Sequence, residues 1–133
     1  MANFIIRTEV HISIDSQYRA LHVLQHLTSP QGKVFFSYMK EKMAERWERV
    51  LKVFAKENMK AKYAIESVPG QFYLWLKCLQ VEENCYELIR KNGIIGWPGD
   101  DFGAEPGRYV RMELVVRDHA FELMLKRFEK LAL

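Results

Sequence analysis

Arg111 is the residue whose type and position in this sequence point most directly to chemistry. It lies between Arg108 and Val116, where apolar and polar residues alternate, a pattern that predicts a strand. The apolar face contains Val110, Met112, Leu114 and Val116, and the other face contains Tyr109, Arg111 and Glu113. A guanidinium is permanently charged and presents paired N–H donors that match a carboxylate. Two interpretations follow from the spacing: Arg111 binds the carboxylate of a small molecule, or it is a solvated or Glu113-paired strand arginine.

The segment from Gly96 to Gly103 has three glycines and one proline, so it cannot continue regular structure. Its backbone N–H groups are suited to an anion, but the segment lacks both a P-loop lysine and the GxGxxG spacing of a dinucleotide fold. Asp100 and Asp101 also oppose phosphate. We therefore predict a connecting loop with constrained turns.

Two other pairs have metal-like or redox-like spacing. His22 and His26 are four residues apart on a predicted helix, but Arg19 shares their face and Val23 replaces the glutamate of HExxH. Cys78 and Cys85 are too few for a disulfide framework and lack the spacing of a structural zinc site. We predict a solvated histidine stripe, small core cysteines and a reducing compartment.

Composition excludes several classes of function. The 133 residues contain 20 Lys and Arg against 17 Asp and Glu, an excess too small and too interspersed to drive nucleic-acid binding. No apolar run approaches the roughly 18 residues of a membrane span, and the N-terminal stretch is too short for a secretory signal. We expect no nucleic-acid partner, no membrane association and a cytoplasmic location.

Apolar periodicity then predicts the elements that hold Arg111 in place. Leucines and Tyr18 recur at helical spacing over Ser16 to Thr28, until Ser29 to Gly32 breaks the pattern. A long amphipathic helix follows from Val34 to about Asn58, with Met39, Met43 and Trp47 as core or interface residues. Phe72 to Leu79, rich in aromatic residues, predicts a central strand.

The second half predicts a helix of about ten residues that begins at Glu82 and ends at Asn92-Gly93, the Arg108 to Val116 strand, and a last helix capped by Asp118. The predicted class is α+β: a small, antiparallel sheet with helices on one face. We predict a single domain over 1–133, with a helical part over 14–58 and a strand-helix-strand-helix part over 63–133.

Several segments, in this order, resemble a known family. They are Asp15-Ser-Gln-Tyr-Arg-Ala-Leu21, Arg46-Trp47-Glu48, Tyr73-Leu-Trp75-Leu-Lys-Cys78, Glu83-Asn-Cys85-Tyr-Glu-Leu-Ile-Arg90, Gly93-Ile-Ile95, Phe102-Gly103 and Arg108-Tyr-Val-Arg-Met-Glu-Leu114. Together they resemble the C-terminal part of the plant alliinase and tryptophan aminotransferase-related family, over roughly Asp15 to Leu131. The ordered set, rather than any single motif, carries the resemblance.

The resemblance implies part of a dimeric fold-type I enzyme that uses pyridoxal 5'-phosphate. Members transfer an amino group from an L-amino acid to a 2-oxo acid or cleave the C–S bond of cysteine sulfoxides, on a cofactor held by a lysine. By motif position, Arg111 is similar to the arginine that binds the substrate α-carboxylate. Asp15, Ser16 and Gln17 match a segment that approaches the active site near the subunit boundary.

The sequence also departs from the family pattern. Nothing here matches the Schiff-base lysine or the cofactor's aspartate and phosphate ligands, and Lys77 is in the wrong context to substitute. Glu113 stands where the family commonly has a small hydroxyl residue, which places a negative charge two residues from Arg111.

We therefore expect a C-terminal domain or truncated form of a transaminase or carbon-sulfur lyase, inactive alone, with no covalently bound cofactor. The alternatives are a non-catalytic binding or dimerisation module that forms a homodimer, and an independent small-acid-binding protein that uses Arg111.

Overall fold

A computed structural model of the chain describes residues 13–80 and 84–131. The chain divides into two compact units, Met1–Met39 and Lys40–Leu133. Within the described ranges, no helix combines the length and apolar character needed to cross a bilayer. The prediction of one domain over 1–133 stays a prediction.

Helix α1 covers Ile14–Thr28, two residues longer at its start than the sequence predicted. The reason is the capping residue: the Ser13 hydroxyl accepts a hydrogen bond from the Ser16 backbone N–H at 3.1 Å, so Asp15 and Ser16 lie inside the first turn. At the other end, the Thr28 hydroxyl donates to the Leu24 carbonyl. The prediction that Ser16 is near the start of a helix is confirmed, but the cap is Ser13.

Helix α2 covers Pro30–Phe54, so the predicted break is a single residue, Ser29. The prediction that Pro30 and Gly32 lie outside the helix is wrong, because proline fits the first helical position, where its missing N–H has no partner to lose. The helix ends at Phe54 rather than near Asn58. A short helix, α3, over Glu57–Lys62 follows it and was not predicted.

The sheet has four antiparallel strands in the order β1-β2-β4-β3. Strand β1 covers Tyr63–Ile65, β2 covers Tyr73–Cys78, β3 covers Trp97–Pro98 and β4 covers Tyr109–Glu113. Strands β2 and β4 were predicted from their composition and alternation, a few residues too long in each case. The two short edge strands were not predicted. The α+β class and the antiparallel sheet are confirmed.

One face of the sheet is the core face. Leu74 and Leu76 of β2 and Val110 and Met112 of β4 are fully buried, as the alternation predicted. They pack into a cluster with buried residues of α2 and α5, among them Met43, Trp47, Val50, Phe121, Leu125 and Phe128. Met43 and Trp47 are therefore core residues. The opposite face of the sheet, which carries Arg111, is partly exposed.

Helix α4 covers Cys85–Lys91, with the Asn84 side chain accepting from the Glu87 backbone N–H at its start. The predicted start at Glu82 lies outside the described residues. Helix α5 covers Asp118–Leu131, so the predicted helix is confirmed. The prediction that Asp118 caps it is wrong, because Asp118 is already in the first turn and its carboxylate binds Arg46 and Lys42.

Cys78, at the end of β2, is joined to Cys85, at the start of α4, by a disulfide. Both residues are in the core, as predicted, but the disulfide between them was not predicted. The two cysteines are seven positions apart in the sequence, and the fold places the end of β2 beside the start of α4, which spacing alone did not indicate. Since disulfides persist in oxidising surroundings, the cysteines no longer support a reducing compartment. The cytoplasmic location stays a prediction.

Two arginines of α2 hold this helix against the end of β4 and the start of α5. Arg46 is buried and donates to the carbonyls of Leu114 and Val116, the latter at 2.8 Å, and to the Asp118 carboxylate at 2.7 Å. Arg49 forms a two-bond pair with Glu122, at 2.6 and 2.7 Å. The Arg46 contacts fix the chain just after β4, three residues beyond Arg111, to α2, and the Arg49 contacts fix α5 to α2.

Candidate functional site

Arg111 lies at the middle of β4, an interior strand of the sheet. It is paired across the strands with Trp75 of β2 on one side and with Trp97 of β3 on the other. Paired residues in an antiparallel sheet share a face, so all three side chains are on the face away from the core. The alternation that placed Arg111 opposite the core face is therefore confirmed.

Two aromatic rings contact the guanidinium of Arg111. Its Cζ atom is 3.7 Å from the ring centroid of Phe102 and 4.5 Å from that of Tyr73. A cation is attracted to the face of an aromatic ring, and such a contact uses none of the N–H donors. The rings therefore hold the charge and leave the donors to a ligand.

No carboxylate of the described residues pairs with Arg111. No ion pair or hydrogen bond of its side chain is found there, and its Nε atom is buried without a hydrogen-bond partner. The terminal nitrogens of Arg111 therefore have no acceptor among the described residues, and a carboxylate ligand would supply one.

Phe102 reaches Arg111 from the loop that precedes β4. It is the last residue of a 3₁₀ helix over Gly99–Phe102, which ends at Gly103 with φ 80°, in the left-handed region that favours glycine. The Asp100 carboxylate accepts from the Gly107 backbone N–H at 3.1 Å, and the ring of Phe102 packs edge-on against Trp75. The predicted connecting loop is therefore also a wall of the Arg111 site.

Lys77, on the same face, is engaged in a different cluster. Its Nζ atom is 3.2 Å from the Glu66 carboxylate, and Tyr109 donates to the same carboxylate at 3.0 Å. Hydrogen bonding to Tyr109 and then to Glu66 raises the pKa of Lys77. A lysine that forms a Schiff base needs an accessible neutral amine, which a lowered pKa favours. Lys77 therefore does not fit a cofactor lysine.

Glu113 does not neutralise Arg111. It is exposed, pairs across the strands with Tyr73, and makes no ion pair in the described part of the chain. It also lines a cavity of about 190 Å³ between the end of β4 and α5, with Leu123 and Arg127 among the walls. The interpretation of Arg111 as an arginine paired with Glu113 is therefore wrong.

The remaining candidate residues lie in the first unit, on α1. Asp15 pairs with Arg19 at 2.9 Å, and both side chains are exposed. His22 packs edge-on against Tyr18, and both histidines are exposed. No group of three or more metal-ligating side chains occurs in residues 13–80 and 84–131. An active-site role for Asp15, Ser16 and Gln17 stays a prediction.

Comparison with known proteins now identifies the family. The sequence profile of the allinase family, for its C-terminal region, matches residues 1–132. The chain belongs to the allinase family. This allinase-family chain is 28% identical over 145 residues to tryptophan aminotransferase-related protein 4 of Arabidopsis thaliana, covering 98% of this chain and 30% of that protein. It is 26% identical over 160 residues to tryptophan aminotransferase-related protein 2 of Oryza sativa subsp. japonica, with the same coverage of each.

A solved structure gives the same fold. The aspartate aminotransferase of Thermotoga maritima matches with a TM-score of 0.63 and 23% identity, over 97% of this chain and 31% of that one. The allinase-family chain thus spans about a third of the length of the proteins it matches. The resemblance and the fold inferred from the sequence are confirmed.

Sequence reasoning found Arg111 but missed both aromatic residues that contact it. Tyr73 lies in a segment that carries the family resemblance but received no site role, because its place opposite Glu113 depends on a register that the sequence does not show. Phe102 lies in a loop without periodicity. The available signal was the Phe102-Gly103 segment of the family resemblance, but nothing in the spacing directs the Phe102 ring toward β4.

Proposed function

We propose that this chain is the C-terminal part, or a truncated form, of an amino-acid-converting enzyme, and that Arg111 binds the α-carboxylate of its substrate. The observation that carries the proposal is a guanidinium held between Phe102 and Tyr73 with no carboxylate partner in the described residues. The substrate is an L-amino acid or a 2-oxo acid. The reaction of the complete enzyme is amino-group transfer, as in the names of the relatives, or C–S cleavage.

The geometry supports this role for a physical reason. Arg111 is on an interior strand, so its backbone cannot move without disturbing both neighbours. A fixed, permanently charged fork is the group that recognises a carboxylate through two parallel hydrogen bonds. Aromatic walls lower the local dielectric, which strengthens that interaction relative to one in open water.

Pyridoxal 5'-phosphate is the cofactor of the complete enzymes of this family, where it supplies the electron sink for chemistry at the amino-acid α-carbon. Lys77, the lysine on the same sheet face as Arg111, does not fit the cofactor lysine, since it is held by Glu66 and Tyr109. We infer that the chain contributes substrate binding and that it has no turnover alone. A homodimer is the assembly that we propose for the complete enzyme.

Titration of the full chain with pyruvate, followed by NMR of the arginine side-chain Nε–H groups, tests the proposal. We expect the Arg111 signal to shift on titration and Arg111→Gln to weaken binding at least about tenfold, because a charge-assisted pair is lost. Arg90→Gln is the matched control, since Arg90 is exposed and its nearest carboxylate, Glu87, is 3.8 Å away. Equal binding by both variants would refute the role of Arg111.

A dimerisation module is the second candidate function. Four apolar residues near the start of α2 are between half and three-quarters exposed: Val34, Phe35, Phe36 and Tyr38. Clustered exposed aromatic residues are typical of protein contacts. Sedimentation at several concentrations tests this candidate, with Phe35→Ser and Phe36→Ser together expected to shift the chain toward monomer. A wild-type chain that stays monomeric at all concentrations would exclude it.

A further inference from the structure

We propose that Phe102 and Tyr73 are positioning residues, which hold the Arg111 guanidinium in the orientation that binds a carboxylate. This inference rests on the proposed function of Arg111. The contact distances are 3.7 Å for Phe102 and 4.5 Å for Tyr73, from the Cζ atom to each ring centroid.

An arginine side chain has many rotamers, and ordering it on ligand binding costs conformational entropy. The chain shows two ways of removing that freedom in advance. Arg49 is ordered by the two carboxylate oxygens of Glu122, which occupy its terminal donors. Arg111 is ordered by ring contacts, which occupy no donor. Only the second arrangement orders the side chain and leaves it able to bind.

The loop around Phe102 is built to present this ring. Gly103 allows the turn that ends the 3₁₀ helix, the Asp100 carboxylate ties the helix to the Gly107 backbone, and Trp75 supports the ring edge-on. Gly99 is buried against Tyr109, where an added Cβ would lie 2.5 Å from the Tyr109 Cβ. The glycine-rich segment is therefore needed to bring an aromatic ring close to β4, rather than to cradle an anion.

Arginine side-chain NMR of the full chain tests the inference directly. A ring near the guanidinium shifts the Arg111 Nε–H resonance through its ring current, so Phe102→Leu is expected to move that signal and Phe102→Tyr to retain it. We expect Phe102→Leu to weaken pyruvate binding by roughly fivefold, the size of one lost cation–π contact, with Phe102→Tyr close to wild type.

Phe72→Leu is the matched control. Phe72 is exposed to a similar extent, 52% against 43% for Phe102, and it precedes the same strand as Tyr73. Tyr73→Leu is expected to act in the same direction as Phe102→Leu, with a smaller effect because its ring is farther from Cζ. If Phe102→Leu leaves both the Arg111 resonance and pyruvate binding as they are in Phe72→Leu, the inference is refuted.

The design separates this inference from the proposed function. If Arg111→Gln binds pyruvate like wild type, carboxylate binding by Arg111 is wrong, whatever Phe102 does. If Arg111→Gln loses binding while Phe102→Leu keeps both the resonance and the affinity, only the positioning role is wrong. A shifted Arg111 signal with weaker binding in Phe102→Leu supports both.

Discussion

Arg46 and Arg111 are both arginines with restricted side chains in the second unit, but the chain restricts them by opposite means. Arg46 is 4% exposed, and its terminal nitrogens donate hydrogen bonds to two backbone carbonyls and a carboxylate. Arg111 is half-buried and contacts two aromatic rings. Both lie over rings, since Arg46 is also 4.8 Å from the Phe121 centroid. The two arginines therefore differ in whether the protein supplies hydrogen-bond acceptors for the guanidinium, and not in their contacts with aromatic rings.

This comparison shows which signal separates a structural arginine from a ligand-binding one. An unpartnered Nε does not, because Arg46 and Arg111 each have one. The terminal nitrogens separate the two kinds of arginine. Those of Arg46 have acceptors in the protein, whereas no acceptor for those of Arg111 is found in the described residues. Removing Arg46 should therefore change stability, and removing Arg111 should change binding.

The largest expected effect is on the stability of the fold. Arg46→Met should lower the free energy of unfolding by about 3 kcal/mol, because it leaves the buried carbonyl of Leu114 and the end of β4 without their donors. Urea unfolding followed by circular dichroism measures the loss. Arg111→Met, the same change on the open face, should cost less than about 1 kcal/mol. Equal losses of unfolding free energy in the two variants would show that Arg111 is as important for stability as Arg46, which contradicts the prediction.

The second prediction concerns acid stability at the Arg46 contact. Hydrogen bonds from Arg46 and then from Lys42 lower the pKa of Asp118 below its ordinary 3.8. A carboxyl group with a lowered folded-state pKa stabilises the fold above its unfolded pKa, and this stabilisation is lost as the pH falls through the folded value. The contribution of Asp118 is therefore present at pH 5 and above and declines below about pH 4.

Asp118→Asn should flatten the fall of the unfolding free energy between pH 5 and pH 3, measured by urea unfolding at each pH. Glu122→Gln is the companion variant, since Arg49 likewise lowers the pKa of Glu122. Arg111→Gln should leave the slope unchanged because no described carboxyl group pairs with it. A slope in Asp118→Asn as steep as in wild type would show that Arg46 is held by its carbonyl bonds alone.

The sequence predicted the parts of this comparison that depend on local order. Alternation placed Arg111 opposite Met112, and helical spacing placed Trp47 in the core, because burial repeats with the period of each element. Arg46 received no such prediction. It is one residue from Trp47 in a charged stretch, and its acceptors, Leu114 and Val116, lie about 70 residues later in the chain.

Long-range geometry accounts for the other misses. The Cys78–Cys85 bond depends on the end of β2 lying beside the start of α4, and the Phe102 contact depends on how a 3₁₀ helix folds back on β4. The edge strand β3 has two residues, too few for any period to be visible. Proline was interpreted as a break at Pro30, although the same residue is favoured at a helix start. The family resemblance implied a role for Arg111 but none for Tyr73 or Phe102, although both lie in segments that carry it.

The smallest expected effect is the change in ligand affinity when the charge of Glu113 is removed. It tests whether Arg111 is available to bind an anion. Glu113 is two residues along β4 on the same face, about 7 Å away at Cα, and its carboxylate repels any anion bound at Arg111. In water a repulsion across about 7 Å is worth roughly 0.6 kcal/mol per pair of charges, so Glu113→Gln should tighten pyruvate binding by up to about threefold at low salt. Succinate, with two carboxylates, should gain more than pyruvate. Glu129→Gln removes the same charge from α5 and should leave both affinities nearly unchanged; an equal gain in the two variants would mean that only net charge matters.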